Sequence, residues 1–567
     1  MKQRLNNFIY LTLFLFSCAQ QSVPTGGEKD TEPPILVQSI PPNRHTNFAG
    51  NQITLIFNEP VQLNNPREQI IVTPEIDQKK TEVTVRKNKV IMRFNQALKD
   101  STTYTINFRE SVQDITERNA ATNLRLAFST GPIIDTLRVR GSIFRLLNDE
   151  PEPNCLVALA PATDTFDIFR HKPEYFTLTD KQGNYALENL KAGSYLIYAF
   201  QDVNRNLIVD SKSEMFGYRI KPLLLDQENK TIDLPLLRLD MRPLKLASAR
   251  PLGNQFIIRL NKGLLNKTIH APDTIGKLFY DEPENGVIRI YNTFNHSDSI
   301  ALHCHFADSA GNKIDTVLYA KFLQKGLRSE KFNATIEQAT YYNMKVNITV
   351  VFNKPIYMVN SDSSFIPIDS LTTIRLKQED FIFNENRTKC ELTVQLTKPL
   401  NFDIKTGTTI TPVSRTERLK SLNNPTNSRK LYNYIVFEKG TFISAEKDTM
   451  STLTSRITEI KPEEKATLLY EVQTDHQAIT ELYQKDKKVA LSEQKKGKFT
   501  LINPGEYRLR SYIDVNGNGQ WDWGNFYQRT EPEPVLHYED NKIKNIPLKA
   551  NWEVGPLLIK PRQNVEK

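Results

Sequence analysis

Short runs of β-branched and aromatic residues, cut off every few positions by Asn, Gly, Pro or Asp, constrain this chain more than any other feature. Ile53-Thr54-Leu55-Ile56-Phe57, Val83-Thr84-Val85, Val90-Ile91-Met92-Arg93-Phe94 and Tyr104-Thr105-Ile106-Asn107-Phe108 are of this kind. Such residues suit a pleated, half-buried surface, and the breakers stop each run at strand length. Short strands with turn signals at these intervals predict β-sandwiches. Windows of helical periodicity are scarce; Glu463 to Gln473 is the nearest, and it reads equally as a strand. The predicted class is all-β. At 567 residues and about 100–150 residues per domain, the chain holds about four to six domains, each with its own core.

Internal repeats refine this. Ile53-Thr54-Leu55-Ile56-Phe57-Asn58-Glu59-Pro60-Val61 recurs as Ile348-Thr349-Val350-Val351-Phe352-Asn353-Lys354-Pro355-Ile356, and more loosely as Phe256-Ile257-Ile258-Arg259-Leu260-Asn261-Lys262. Each copy ends a strand at Asn with a charged residue after it, and Pro blocks further pairing in the two close copies. The first copy lies between Pro33-Pro34, Ser39-Ile40-Pro41-Pro42-Asn43 and a closing Phe128-Ser129-Thr130. This set resembles the bacterial Ig-like domain of cell-surface proteins, in which Phe-x-Glu-Pro-Val is a core strand and Phe-Ser-Thr the last one. The resemblance covers residues 34–132 and 330–440, with a weaker copy at 237–327.

A second module type alternates with the first. Asp180-Lys181-Gln182-Gly183-Asn184-Tyr185 followed by Gly193-Ser194-Tyr195 resembles the carboxypeptidase-regulatory-like, or transthyretin-like, β-sandwich. In that family Asp-x-x-Gly closes a hairpin and Gly-x-Tyr opens a strand whose Tyr faces the core. Gly497-Lys498-Phe499 and Gly505-Glu506-Tyr507 form the second copy, and both copies run into Asp-Val-Asn. These sandwiches are expected at 136–236 and 455–551.

The N-terminus sets the compartment. Lys2 and Arg4 precede the apolar run Phe8 to Phe16, then Ser17 and Cys18. A basic start, a short apolar core and a small residue before the cut describe a secretory signal peptide over residues 1–17, and the run is too short to span a bilayer. Cys18 in that place resembles the lipobox of a bacterial lipoprotein, in which the thiol is acylated and becomes the mature N-terminus; the alternative is a secreted protein with an incidental cysteine. Residues 18–33, poor in apolar side chains and containing Gly26-Gly27-Glu28-Lys29-Asp30, read as a lipidated tether. Beyond Cys18 the cysteines are Cys155, Cys304 and Cys390, too few for a disulfide scaffold, and no CxxC pair suggests a zinc site. The net charge of +9 is spread through interleaved acids and bases, so with export it points away from nucleic acid.

Two loops suggest ion chemistry. Asp202, Asn204, Asn206 and Asp210 fall at the first, third, fifth and ninth places of a calcium loop, as do Asp514, Asn516, Asn518 and Asp522, where Gln520 adds a carbonyl and Gly519 fills the turn position. Leu207 replaces that glycine in the first loop, and Ser213 and Asn525 stand where a twelfth-place acid is usual. Two readings fit: weak calcium binding of the extracellular kind, or Asp and Asn side chains capping turns. No cofactor is required by either. Catalysis has little support: there is no His-Glu-x-x-His, nucleophile elbow or phosphate loop, and small modules without a large central pocket do not suit a glycosidase. His303-Cys304-His305 lacks a third ligand nearby in sequence and reads as a half-exposed strand pair. Asp-Ser/Thr-aliphatic triplets such as Asp135-Thr136-Leu137 and Asp315-Thr316-Val317 resemble the O-glycosylation acceptor of exported Bacteroidetes proteins, though they also suit turns.

The resulting expectation is a non-enzymatic, Bacteroidetes-type lipoprotein: a string of Ig-like and transthyretin-like sandwiches held to a membrane by lipid, on the outer membrane or cell surface. It would act in binding, adhesion or envelope architecture toward an envelope protein or glycan. The alternative is a glycan-capture subunit beside an outer-membrane transporter, with Trp521, Trp523 and Trp552, the chain's three tryptophans, as the glycan-facing aromatics.

Overall fold

A computed structural model describes residues 30–226, 229–272, 277–293, 299–323, 330–369, 372–402, 433–541 and 543–562. Cys18, the apolar run before it and most of the tether lie outside the described residues. The described chain is almost entirely β, with helix confined to single short turns such as Pro66–Gln69. No described helix is long and apolar enough to cross a membrane.

Three sandwiches share one plan. In the first, the sheet runs in the order Leu36–Ile40, Gln52–Phe57, Lys89–Phe94, Thr81–Arg86. The third repeats this order with Leu246–Leu252, Gln255–Leu260, Val287–Tyr291 and Tyr280–Glu284, and the fourth with Ala334–Tyr342, Lys345–Phe352, Lys389–Gln395 and Ile382–Phe383. The repeated Asn has one function in all three. Asn58, Asn261 and Asn353 each accept, through Oδ1, the backbone N–H of Ile35, Lys245 and Asn333 respectively, at 2.8 Å in every case. Each also returns its own N–H to the same residue's carbonyl, at 3.1, 3.1 and 3.3 Å. One residue thus closes the mouth of the first hairpin from both sides.

The chain then changes sheets. After Pro60, Val61–Leu63 pairs with Val112–Asp114, and after Pro355, Ile356–Val359 pairs with Phe442–Ser444. Proline cannot donate to the sheet being left, so the strand ends there. The third copy has Gly263 near this point instead, and Asn266–His270 enters the sheet of Ile300–Ala307. The charged residue after Asn is buried in two copies: Lys354 is fully buried against Glu446 and Asp448, and Lys262 lies against Asp308. The fourth sandwich continues past residue 440, because Leu453–Arg456 pairs with Tyr434–Phe437 and Thr458–Glu459 with Ala334–Tyr342.

The second and fifth sandwiches share the other plan. A five-stranded sheet is built around Gly193–Phe200 in one and Gly505–Asp514 in the other, facing sheets ordered Asn184–Leu190, Leu137–Arg145, Lys230–Thr231 and Lys496–Ile502, Ala466–Val472, Glu553–Ile559. The last of these strands carries the fifth sandwich beyond residue 551. The Gly-x-Tyr tyrosines sit alike: Tyr195 donates to the Lys191 carbonyl at 2.9 Å and Tyr507 to the Asn503 carbonyl at 2.7 Å, both rings buried. Cys155, Cys304 and Cys390 are free and buried.

The sandwiches do not form an extended string. In the second, alternate residues of Leu156–Pro161 and Gly193–Phe200 face the sandwich's own core (Val157, Leu159, Ile197) and the opposite side (Ala158, Tyr198, Phe200). That second face is covered by Ile71 of the first sandwich, Ala310 of the third, and Trp523 and Phe526 of the fifth. The C-terminal sandwich therefore folds back onto the second, across some three hundred residues of sequence.

Candidate functional site

The two Asp-x-Asn-x-Asn loops leave equivalent strands, each just after the central strand of its five-stranded sheet. In the C-terminal loop, Asp514 Oδ1 accepts the N–H groups of Gly517 (2.7 Å) and Asn518 (3.2 Å), and Oδ2 that of Gly519 (2.8 Å). Asn516 and Asn518 accept the N–H groups of Asn518 and Gln520 at 3.0 and 2.8 Å, while their amide nitrogens donate to Asp522 Oδ2. In the first loop Asp202 accepts from Asn206 and Leu207 at 3.0 and 3.1 Å, and Asn206 from Ile208 at 2.7 Å. Asn204 accepts from Asn206 at 3.1 Å, whereas Asp210 turns instead to Lys212 and Ser213.

An acid that the repeat did not reveal completes each loop. Glu533, buried, accepts the N–H groups of Val515, Asn516 and Asp522 at 2.7, 3.2 and 2.9 Å. Glu214, also buried, does the same for Val203 and Asp210 at 2.9 and 2.8 Å. Glu214 stands one place beyond the expected twelfth position, and Glu533 far beyond it, so the spacing rule passes over both. Burial pushes the carboxyls of Asp202 and Glu214 above their ordinary range, against the opposing pull of the N–H groups they accept. As placed, most of the loop oxygens accept backbone N–H groups of their own loop, and Asp522 Oδ2 accepts the side-chain amides of Asn516 and Asn518. This is the geometry of turn capping.

The C-terminal loop is also the clasp that holds the fifth sandwich to the second. Phe526 packs edge-on against Phe169 and Tyr218, with centroids 5.7 and 5.3 Å away. Tyr218 donates to the Thr530 carbonyl at 2.8 Å, and Glu531 accepts the Ile220 N–H at 2.8 Å and pairs with Arg219 at 3.2 Å. Behind the loop, Arg510 and His537 bond the carbonyls of Leu147 and Leu146 at 2.8 and 2.9 Å, and Lys544 pairs with Asp149 at 2.8 Å. Trp521 and Trp523 lie inside this joint, 4.9 Å apart and half-buried, with Trp521 donating to the Glu533 carbonyl at 2.9 Å. Trp552 stands elsewhere, exposed beneath Lys549. Trp521 and Trp523 are thus taken into the joint, whereas Trp552 is exposed.

A cleft of about 970 Å³ opens between the first and second sandwiches, with the Asp202 loop as part of its wall. This is a larger recess than small modules alone imply. Its four lining acids are all engaged: Glu68 with Arg205, Glu75 with Lys172 at 3.0 Å, Asp77 with the Lys79 N–H at 2.9 Å, and Asp202 in its own loop.

Comparison with known proteins agrees on the first module. Residues 30–130 match the bacterial Ig-like domain family. No curated protein matches the chain. Among solved structures, it is similar to the major pilin subunit BcpA of Bacillus cereus (12% identity over 75% of this chain and 99% of that one, TM-score 0.13). It is also similar to SGBP-B of the Bacteroides ovatus mixed-linkage glucan utilization locus, solved with a heptasaccharide (12% identity over 65% and 88%, TM-score 0.15). A third likeness is an L,D-transpeptidase from Mycobacterium smegmatis (10% identity over 26% and 74%, TM-score 0.13). At TM-scores this low, these three likenesses support no statement about overall arrangement or role. What is established is that the chain is built of β-sandwiches and that its N-terminal module is a bacterial Ig-like domain.

Proposed function

We propose that this is an exported, lipid-anchored envelope protein that presents a clamped cluster of β-sandwiches as a non-enzymatic binding or adhesion scaffold. The observation that carries the reading is the order of parts at the N-terminus: a basic start, an apolar run and Cys18, followed after a short tether by a module of the bacterial Ig-like family that matches from residue 30. Clamping supports a scaffold, because loops held on a rigid cluster keep a fixed geometry toward a partner.

Acylation at Cys18 would supply far more than reversible peripheral binding, at about 0.8 kcal/mol per buried methylene. Cys18→Ser should release the protein from membranes or leave it unprocessed at higher mass, as read by fractionation and mass spectrometry. Wild-type mass and carbonate-resistant membrane recovery for the variant would refute the anchor.

A further inference from the structure

The third sandwich carries a group of side chains that the scaffold reading leaves unused. On the strand Ile300–Ala307, alternation buries Leu302, Cys304 and Phe306 in the core and turns His303 and His305 to the opposite face, where His303 is exposed and His305 half-buried. The third histidine, absent from the local sequence, comes from the neighbouring strand. Asn266–His270 runs antiparallel alongside, with His270 directly opposite His303 and Thr268 opposite His305. The His270 and His303 rings lie 5.2 Å apart between centroids, inclined at 33°. On the other side, Lys313–Ala320 sets Asp315 opposite His305, and Asp315 Oδ1 meets His305 Nδ1 at 2.5 Å.

From this juxtaposition we infer that His270, His303 and His305 form a surface site for a divalent transition-metal ion of the zinc or copper class, with Asp315 as the positioning residue for His305. The chemistry follows from the register. Residues two apart on a strand share a face, and directly opposed residues of antiparallel neighbours have Cβ atoms about 4.5–5.5 Å apart. Three imidazoles so placed can reach one ion with metal–nitrogen distances of about 2.0–2.1 Å. Imidazole nitrogen suits zinc, copper and nickel rather than calcium or magnesium, which take oxygen. A carboxylate on Nδ1 fixes the tautomer of His305 and leaves Nε2 as the ligating atom, the usual outer contact of a metal-bound histidine. As the side chains stand, no three donors among the described residues meet at ligating distance. The ion itself would draw the rings together, and His270 and His303 are exposed enough to turn without disturbing the core beneath.

Isothermal titration of the metal-stripped full chain with zinc chloride and with copper(II) chloride tests this. The expected result is one saturable equivalent per chain for at least one of the two ions. His270→Ala and His303→Ala should each weaken binding more than tenfold, and Asp315→Asn about tenfold, within the range for loss of an outer-contact partner. His171→Ala, in the second sandwich, should titrate as wild type. Melting curves of each variant establish that the sheet is intact, so that a loss of binding is not a loss of fold. Absence of saturable heat with both ions would overturn the site. So would wild-type affinity in folded His270→Ala or His303→Ala, which would place the ion elsewhere in the chain.

Discussion

Glu214 and Glu533 hold equivalent turns from different places in the sequence, which shows how a single buried acceptor can stand in for a missing repeat residue. Each accepts backbone N–H groups at the two ends of its loop. The turn glycines act separately, through conformation: Gly519 has φ of 80°, with nothing within 4 Å of where a Cβ would sit. Gly519→Ala should therefore cost about 1–2 kcal/mol through left-handed strain alone, read as a lower denaturation midpoint with unchanged slope. Leu207 already occupies this conformation in the first loop, at φ of 63°, and half-buried packing against the face of the second sandwich compensates it. In the first sandwich, Asp114 is held differently. Burial pushes its carboxyl up, but the N–H groups of Glu117, Arg118 and Asn119, at 2.7, 2.8 and 3.0 Å, outweigh this and bring it below its ordinary range. A folded-state value below the unfolded one means the stabilisation is present above the unfolded pKa and is lost as pH falls through the folded one. Asp114→Asn should thus be most destabilised near neutrality, with the gap to wild type closing as melting curves are taken to about pH 3 and below. A gap that stayed constant with pH would rule out this role for the carboxylate.

At the scale of elements, the recurring small motifs are hydrogen-bonding devices at strand ends. The tyrosine of Gly-x-Tyr ties its strand to a carbonyl four residues back, as a tyrosine corner does. Tyr507→Phe, with its ring buried and its hydroxyl bond removed, should lower stability by about 1 kcal/mol, and Tyr195→Phe by a similar amount, in equilibrium unfolding. A loss at one tyrosine and none at the other would mean that the hydroxyl bond does not carry the same stabilisation in the two sandwiches. Much of the fold was legible because such devices are local. The strand–Asn–charge pattern marked three Ig-like copies, two of them followed by Pro, and even the loosest, Phe256 to Lys262, makes the same two-way closure. The ends of the fourth and fifth sandwiches were not legible, because their last strands pair with partners far away in sequence. The histidine group was half legible. His303-x-His305 is visible as a spacing, whereas His270 joins it only through register.

At the scale of the molecule, the second sandwich is the hub. The signal for this lies in the sequence, in the contrast between the two repeats. Leu156-Val157-Ala158-Leu159-Ala160 and Tyr195-Leu196-Ile197-Tyr198-Ala199-Phe200 are apolar without alternation, as strands covered on both faces are. The equivalent Glu506-Tyr507-Arg508-Leu509-Arg510 alternates, as a strand with one solvated face does. What the sequence could not name was the cover, since Ile71, Ala310, Trp523 and Phe526 come from three other sandwiches. The tryptophans expected to face a glycan are spent in part on that joint, where Trp523 packs against both the hub and the smaller cluster around Leu146, Leu237 and Val535.

Small-angle X-ray scattering of residues 30–567 reads whether the C-terminal sandwich folds back onto the hub. A single compact body of this length has a radius of gyration of about 25 Å, whereas five sandwiches of about 13 Å each set in line would give on the order of 50 Å. With the loop clasp closed the value should lie below about 35 Å, and Phe526→Asp, which places a charge against Phe169 and Tyr218, should raise it. A wild-type value near that of the in-line arrangement, unchanged by Phe526→Asp, would contradict the clasp and return the chain to an extended string.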